Sequence, residues 1–561
     1  MRPGPWKAQL ELDPSFTKLH SDVAHLILEG MTHGVDIGYT GERTQRLNVR
    51  NAKSTTHPEI AAMISAIIAR DVSKRFKAGP FDEPPLPNFV VSPLGAVPKP
   101  GSKDGVRLIH NLSHPFHGDS INSHIAKEEY ILSRFDEACE AVRKASPVHP
   151  DFDFHAWLLK FDIAAAFKQV PVRKEDRSLL GMKWEGKYYF ELVLPFGLRT
   201  SGYRWEMYAK ALHHFFHHHL GIDLVIHYVD DFLIVARTRE DGDRYKVAIT
   251  ELCAKLGVPL EPSKTEGPTH CLTFLGIEID TVAMEMRLSK KRITELLTLL
   301  TSWDDTLQIN RAQLATLIGK LMFATYVVRP GRAFLKRLIS LLLSLKDGEQ
   351  KFGMSHTQRL SDAARADVAW WREFLNEWNG RSLLYELAWT ESPLIELFTD
   401  ACKTGYGARY GNAWFQGRWT NRQRAAAWVN TNVSMPFYEL HALVHAAVVW
   451  GPLWRGRKIT FRCDALAAHG AVKKLTAKRG NMAELVRLLV TTAGIHGFDF
   501  RCIHIDGVKN IHADALSRGC SLSQYRELLA TADELPTPAP EELKIIYTPS
   551  QSPHLPVQLR S

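Results

Sequence analysis

Apolar and polar positions along this chain follow two periods, one helical and one of strand type. Ile60, Met63, Ile64, Ile67, Ile68 and Val72 recur every three or four residues, which predicts a helix with one buried face. Thr56-His-Pro-Glu59 precedes that stripe as a capping box, with Pro58 in the first turn, and Gly79-Pro80 closes it. From about 90 to 285, strand-like runs such as Leu158-Leu-Lys-Phe161 and Tyr188-Tyr-Phe-Glu-Leu-Val-Leu194 alternate with helical stretches. Residues 289 to about 345 read as mostly helical. Leu314, Leu317, Ile318 and Leu321 form an apolar face there, beside a basic surface of Lys320, Arg329, Arg332, Lys336 and Arg337. A helix from near Ser361 to Gly380 carries Val368, Trp371 and Leu375 on one side. A strand over Leu394–Thr399 and a hairpin through Gly405, Gly407 and Gly411 then open a separate α/β domain. From Pro536-Thr-Pro-Ala-Pro540 onward the pattern is that of a flexible tail.

One run breaks the rule that strands bury apolar groups. Leu224-Val-Ile-His-Tyr-Val-Asp-Asp-Phe-Leu-Ile-Val-Ala236 sets two carboxylates, Asp230 and Asp231, between two apolar stretches. Alternation along a strand would send neighbouring side chains to opposite faces, so a shared site requires a hairpin with Val229-Asp230-Asp231 at its tip. Carboxylates on an apolar ribbon need a cationic partner, and a pair of divalent ions is the simplest one. A third carboxylate is expected from another strand of the same sheet. Asp162, at the end of Leu158-Leu-Lys-Phe161, is the best candidate, although its position also suits a helix N-cap. Two metals about 3.5–4 Å apart could then be bridged by Asp162 and Asp230, as in phosphoryl transfer.

Composition narrows the class only modestly. At 561 residues the chain suggests about three or four domains. With 45% hydrophobic and 23% charged residues it is ordinary globular protein. Its 70 Lys+Arg against 61 Asp+Glu give a net charge of +9, which fits a polyanionic partner. Seven scattered cysteines without a C-x-x-C pair point to reduced thiols. Neither a signal peptide nor a membrane-spanning stretch is evident, so we expect an intracellular protein, cytoplasmic or nuclear, with no membrane partner and not secreted. His213 and His217 could bind zinc from one helix face. Surface histidines flanking a buried Phe215 and Phe216 are the preferred reading.

Several motifs, in order, resemble the reverse transcriptase family. Pro93-Leu-Gly-Ala-Val-Pro-Lys99 and Val106-Arg-Leu-Ile109 resemble the fingers hairpin. Asp162 is followed five residues on by Phe167, Leu194-Pro-Phe-Gly-Leu198 is similar to the loop that positions template and nucleotide, and Tyr228-Val-Asp-Asp231 resembles the signature hairpin. Leu272-Thr-Phe-Leu-Gly-Ile277 resembles the turn that grips the primer. The resemblance implies that Asp162, Asp230 and Asp231 are catalytic metal ligands. It implies that Lys99 and Arg107 contact the triphosphate, though two solvated loop charges are the plain alternative. Phe167 would exclude a ribose 2′-hydroxyl. Phe196, Gly197 and Tyr228 would line the substrate site, with Phe196 replacing the Gln of retroviral members. His110-Asn111 departs from the family's Val-Asp.

A second carboxylate set resembles the ribonuclease H fold. Asp400 ends a strand, Glu439 opens a helix in Phe437-Tyr-Glu-Leu-His-Ala442, Asp464 ends Ile459-Thr-Phe-Arg-Cys463, and Asp514 lies in Ala513-Asp-Ala-Leu-Ser-Arg518. The resemblance implies that all four are catalytic metal ligands. His504 is open to a proton-transfer role or a structural one. Two Mg²⁺ ions are implied at each centre, with Mn²⁺ as a substitute.

The expected architecture is α+β and α/β multidomain: a right-hand polymerase of fingers, palm and thumb, then a ribonuclease H-like α/β domain. The expected boundaries are an N-terminal extension with one amphipathic helix (1–80), fingers and palm (81–285), helical thumb and connection (286–390), ribonuclease H-like domain (391–520) and flexible tail (521–561). The fingers motifs look most like DIRS-type retrotransposon polyproteins, with gypsy-like or pararetroviral ones next. The implied activity is RNA-directed DNA polymerase with ribonuclease H. Implied partners are RNA template, DNA primer, RNA–DNA hybrid, deoxynucleoside triphosphates and an element-encoded capsid-like protein and tyrosine recombinase. Rival readings are a domesticated or inactive copy that only binds nucleic acid, and a DNA-templated host polymerase.

Overall fold

The computed structural model describes residues 1–12, 16, 21–98, 105–116, 118–146, 155–303, 309–345, 357–378, 381–383, 389, 396–429, 432–477 and 480–530. The chain divides into two compact units, Met1–Leu275 and Gly276–Ser561.

The first unit is built on a four-stranded sheet. Its order is Val225–Tyr228, Asp231–Ala236, Trp157–Asp162, Glu266–Thr269, with all neighbours antiparallel. Leu159, Phe161, Phe232 and Ile234 join the main core with Trp205, Tyr208 and Leu212 of helix Ser201–His214 and Ile249, Leu252 and Leu256 of helix Arg239–Leu256. Thr238 caps the second helix through the Asp241 N–H, and Gly257 ends it in the left-handed conformation. A three-stranded sheet of Lys77–Phe81, Lys187–Glu191 and Gly181–Trp184 lies beside the hairpin Leu94–Pro98/Val106–His110. The predicted helix spans Pro58–Ser73, and Ile64 and Ile68 pack on Leu94, Ala96, Met182 and Trp184.

Two expectations for the N-terminal region need correction. The capping box does not form: His57 is the N-cap, and the Thr56 hydroxyl turns back to the Lys53 carbonyl at 2.8 Å. Residues 1–80 are also more than an extension with one helix. They include the further helices Pro3–Glu11 and Ser21–His33. Trp6 is fully buried, donates from Nε1 to the Leu256 carbonyl at 3.1 Å and packs against Tyr208. Ser21–His33 does carry an apolar stripe, Val23, Ile27, Leu28 and Met31, that packs on the main core.

In the second unit, strands Ile277–Asp280 and Glu285–Leu288 pair antiparallel. Helices Lys290–Thr301, Arg311–Ala324, Lys336–Ser344 and Asp362–Trp378 follow. Leu314, Leu317, Ile318 and Leu321 are buried, as are Val368, Trp371 and Leu375. The basic surface is partly neutralised: Arg329 pairs with Asp499 at 3.1 Å and Arg337 with Asp367 and Glu484 at 3.1 and 2.8 Å.

A five-stranded sheet completes the unit in the order Ala413–Arg418, Gly405–Tyr410, Leu397–Ala401, Lys458–Cys463, Asp499–His504. Its first three strands are antiparallel and the remaining pairings parallel. This is the mixed sheet expected of a ribonuclease H-like α/β domain. Gly407 is required by packing: a Cβ there would sit 2.4 Å from Leu516 Cβ and 2.6 Å from the Ser517 nitrogen. The expected tail from 521 is corrected over its first residues. Leu522–Ala530 is a helix whose buried Tyr525 packs on Trp414, with ring centroids 4.8 Å apart. The Pro-rich stretch at 536–540 lies outside the described residues.

Candidate active sites

The acidic pair sits at the end of the first unit's central sheet. Tyr228 and Asp231 are paired, leaving Val229 and Asp230 as a two-residue hairpin loop. Val229 has φ 57°, where such loops ordinarily use Gly and a β-branched side chain is strained. Two bonds hold the turn against that strain. Trp205 Nε1–H donates to the Val229 carbonyl at 2.8 Å, and the Ile163 N–H donates to the Asp230 carbonyl at 3.0 Å. Asp162 is the register partner of Asp231 on the neighbouring strand. Three carboxylates, two from neighbouring strands and one from the turn, therefore meet at one sheet end.

Their electrostatics are unfavourable without a cation. Burial, then Asp230 and Asp162, push the Asp231 carboxyl up to about 6. Burial and Asp162 also raise Asp230. Among the described residues, the one direct cationic contact is Lys264, whose Nζ lies 2.8 Å from Asp162 Oδ2 and whose own pKa is raised by that hydrogen bond. Sequence reasoning missed Lys264, because it lies 102 residues from its partner in a short turn with no pattern of its own.

The expected substrate residues are distributed as follows. Phe167 lies in the turn Ala166–Gln169, entered through Ala165 at φ 49°, and its ring centroid is 5.1 Å from that of Phe196. Phe196 is half exposed. Gly197 has φ 101°, and a Cβ there would lie 2.5 Å from the His110 carbonyl oxygen. Arg107 is exposed on its strand and lines a cavity of about 300 Å³ together with Phe196. Tyr228 is exposed beside the turn. Lys99 lies outside the described residues. His213 does not pair with His217 as a metal site would need. It meets His227 at 3.0 Å and is lowered to about 3 by burial and then by His227, while His217 Nδ1 is 2.9 Å from the Ile222 carbonyl. His227 in turn contacts buried Glu206 at 3.1 Å.

The second set gathers on the five-stranded sheet. Asp400 is buried in the central strand, Glu439 in helix Met435–Trp450, Asp464 follows the adjacent parallel strand, and Asp514 lies in helix Ile511–Ser517. Burial pushes Asp400 up to about 6, opposed by Ser517 and aided by Asp464 and Asp514. Burial, then Asp400 and Asp464, push Glu439 up to about 9. Burial and Asp514 raise Asp464. Ligand atoms of Glu439, Cys463 and Asp464 all lie within 4.8 Å of one another, and Glu439 Oε2 is buried without a hydrogen-bond partner. Arg518 holds Asp514 from one turn away at 2.7 Å. His504 Nε2 is 3.0 Å from the Asp464 carbonyl oxygen, a structural contact. Clustered carboxylates with raised pKa values, and an unpartnered buried oxygen, are a donor set that suits hard divalent cations.

Residues 97–279 match the family model "Reverse transcriptase (RNA-dependent DNA polymerase)". Polyprotein P3 of Commelina yellow mottle virus is 23% identical over 369 residues, covering 64% of this chain and 18% of that polyprotein. The enzymatic polyprotein of Cauliflower mosaic virus (strain D/H) is 26% identical over 165 residues, covering 29% of this chain and 23% of that one. The chain thus spans about a fifth of the length of these curated relatives. Among solved structures, a foamy viral protease-reverse transcriptase in complex with RNA/DNA hybrid gives a TM-score of 0.46 at 15% identity, covering 83% of this chain and 56% of that one. The chain carries a reverse transcriptase domain homologous to pararetroviral polyproteins.

Proposed function

We propose that this chain is an RNA-directed DNA polymerase joined to a ribonuclease H, copying retroelement RNA into cDNA and degrading the RNA of the hybrid. The observation that carries the reading is the meeting of Asp162, Asp230 and Asp231 at one sheet end, inside the segment that matches the reverse transcriptase family. The Asp400, Glu439, Asp464 and Asp514 cluster supports the second activity.

Asp162, Asp230 and Asp231 would hold Mg²⁺ at the first centre, and the other four acids at the second, with Mn²⁺ as a substitute. Such ions, when bound, acidify an attacking hydroxyl or water and offset charge on the leaving oxygen. The chain's own residues do the rest. Arg107, exposed on the fingers hairpin, offers a cation to the triphosphate. Phe167 closes the space a ribose 2′-hydroxyl would need. Gly197 admits close backbone approach, and exposed Tyr228 offers a ring to nucleic acid beside the turn. Substrates would be RNA template, DNA primer, hybrid and deoxynucleoside triphosphates, within the cell, in cytoplasm or nucleus. Among the described residues no helix is long and apolar enough to cross a membrane.

The fingers motifs favour a DIRS-type element, with a capsid-like protein and a tyrosine recombinase as element-encoded partners. The viral relatives favour a pararetroviral ancestry instead. The activity is tested by extending a DNA primer on an RNA template with Mg²⁺. Wild-type extension that disappears in Asp162→Asn supports the reading, and equal extension by both rejects it.

A further inference from the structure

Lys168 follows Phe167 in the turn Ala166–Gln169 and reaches away from it into the fingers. Its Nζ lies 2.7 Å from Asp71 Oδ2 and 5.2 Å from the centroid of the Phe76 ring. Asp71 is buried in the last turn of helix Pro58–Ser73. The same Oδ2 is 3.3 Å from Lys77 Nζ, which also bonds both Glu191 oxygens at 2.6 and 2.7 Å. His110 Nδ1 stands 3.6 Å from Glu191 Oε1. Asp71, Lys77, Glu191 and His110 are all at least nine-tenths buried. Their chain walls the cavity of about 300 Å³ whose lining also includes Arg107 and Phe196.

Buried ion pairs are a poor way to gain stability. Apolar residues of similar volume usually serve as well or better, because desolvation offsets the attraction. Ile67, Val106 and Leu108 line the same cavity, so an apolar filling would meet compatible neighbours. A charge-assisted bond supplies what apolar contact lacks, a fixed direction and length. Here it fixes one side chain of a four-residue turn that begins from a left-handed residue. Phe167 is the adjacent side chain, partly buried, packed against the main core and in ring contact with half-exposed Phe196.

We propose that Lys168 and Asp71 are positioning residues for sugar selection: their ion pair sets the height of the Phe167 ring against the incoming nucleotide. The proposal rests on the polymerase reading above. The network then serves specificity, and Lys77 and Glu191 keep Asp71 from turning away.

The test uses the full chain with a DNA primer on an RNA template, dATP and ATP as competing substrates, and kcat and KM measured separately for each. Lys168→Met removes the bond, Asp71→Leu/Lys168→Met replaces the pair by apolar groups, and Lys168→Arg retains it. The dATP-over-ATP ratio of kcat/KM should fall about tenfold in the first two, mainly through a lower KM for ATP, and stay within about threefold of wild type in Lys168→Arg. The double variant should melt close to wild type, which separates positioning from folding. A double variant that melts like wild type and keeps the wild-type ratio overturns the inference while leaving the polymerase reading intact. Should that variant melt below the assay temperature, Lys168→Gln replaces it, and an unchanged ratio there overturns the inference equally. Wild type that extends on no template overturns the polymerase reading and this inference with it.

Discussion

Asp162 and Asp231 stand directly opposite one another across two antiparallel strands, with Asp230 beside them in the turn. Like charges at such a position destabilise a sheet. Lys264 pairs directly with Asp162, and its charge only partly offsets the upward push on Asp230 and Asp231. The arrangement costs stability in the bare protein, a cost that a bound divalent cation would offset.

Stability should therefore depend on pH in a definite sense. Burial and the neighbouring carboxylates push the folded Asp231 carboxyl up to about 6, above the ordinary aspartate value of about 3.9. The folded state thus binds this proton more tightly than the unfolded chain does, and stability falls as pH rises from about 4 to 6. In metal-free buffer at pH 7, Asp231→Asn should be more stable than wild type by about 1–2 kcal/mol, after discounting for solvent that reaches the site. The gain should vanish near pH 4, and Mg²⁺ should raise the melting temperature of wild type but not of the variant. Thermal melts at both pH values check this.

Glu439 gives the complementary case. With its carboxyl pushed up to about 9, it is protonated at pH 7 without metal, so Gln reproduces both its shape and its charge. Glu439→Gln should change metal-free stability by no more than about 0.5 kcal/mol. It should abolish hybrid cleavage, since a neutral amide cannot replace a carboxylate ligand. A stability loss of several kcal/mol, or cleavage retained, would contradict the assignment.

The turn geometry depends on Trp205. Trp205→Phe keeps the buried ring but leaves the Val229 carbonyl without its donor, at about 1–3 kcal/mol. Because the bond fixes where Asp230 sits, kcat for extension should fall about tenfold or more, with the nucleotide KM nearly unchanged. Steady-state extension kinetics distinguish this from a binding defect, which would move KM instead.

How much of this was legible in the sequence varies with distance along the chain. The hairpin was, because Asp230 and Asp231 interrupt two short strands and alternation allows one solution. The helix Arg311–Ala324 was, because its stripe repeats. Lys264 on Asp162 and Lys168 on Asp71 were not: each pair joins segments about a hundred residues apart through single side chains. The Thr56 capping box failed because the helix starts one residue later, with His57 as its N-cap, and the Thr56 hydroxyl bonds the Lys53 carbonyl instead, a local bond of the kind that competes with caps. Tyr525 was read as tail because its buried partner, Trp414, lies more than a hundred residues earlier.

Lys264 and a metal ion at the proposed site would compete for Asp162. Lys264→Met removes the competing cation, an exposed ammonium set against a buried carboxylate. Mg²⁺ affinity, followed by calorimetry or by melting temperature against Mg²⁺ concentration, should rise a few-fold. Weaker Mg²⁺ binding in the variant would show that the lysine organises the site rather than occupying it.

The central claim is that one chain builds DNA at Asp230–Asp231 and removes RNA at Asp400. The direct measurement follows both products in one reaction, with a DNA primer on a 5′-labelled RNA template and Mg²⁺. Wild type should extend the primer and shorten the RNA. Asp230→Ala/Asp231→Ala should lose extension and still cut a preformed hybrid, and Asp400→Ala should extend without cutting. Loss of both activities in either variant, or cutting that survives Asp400→Ala, would contradict two separate carboxylate centres.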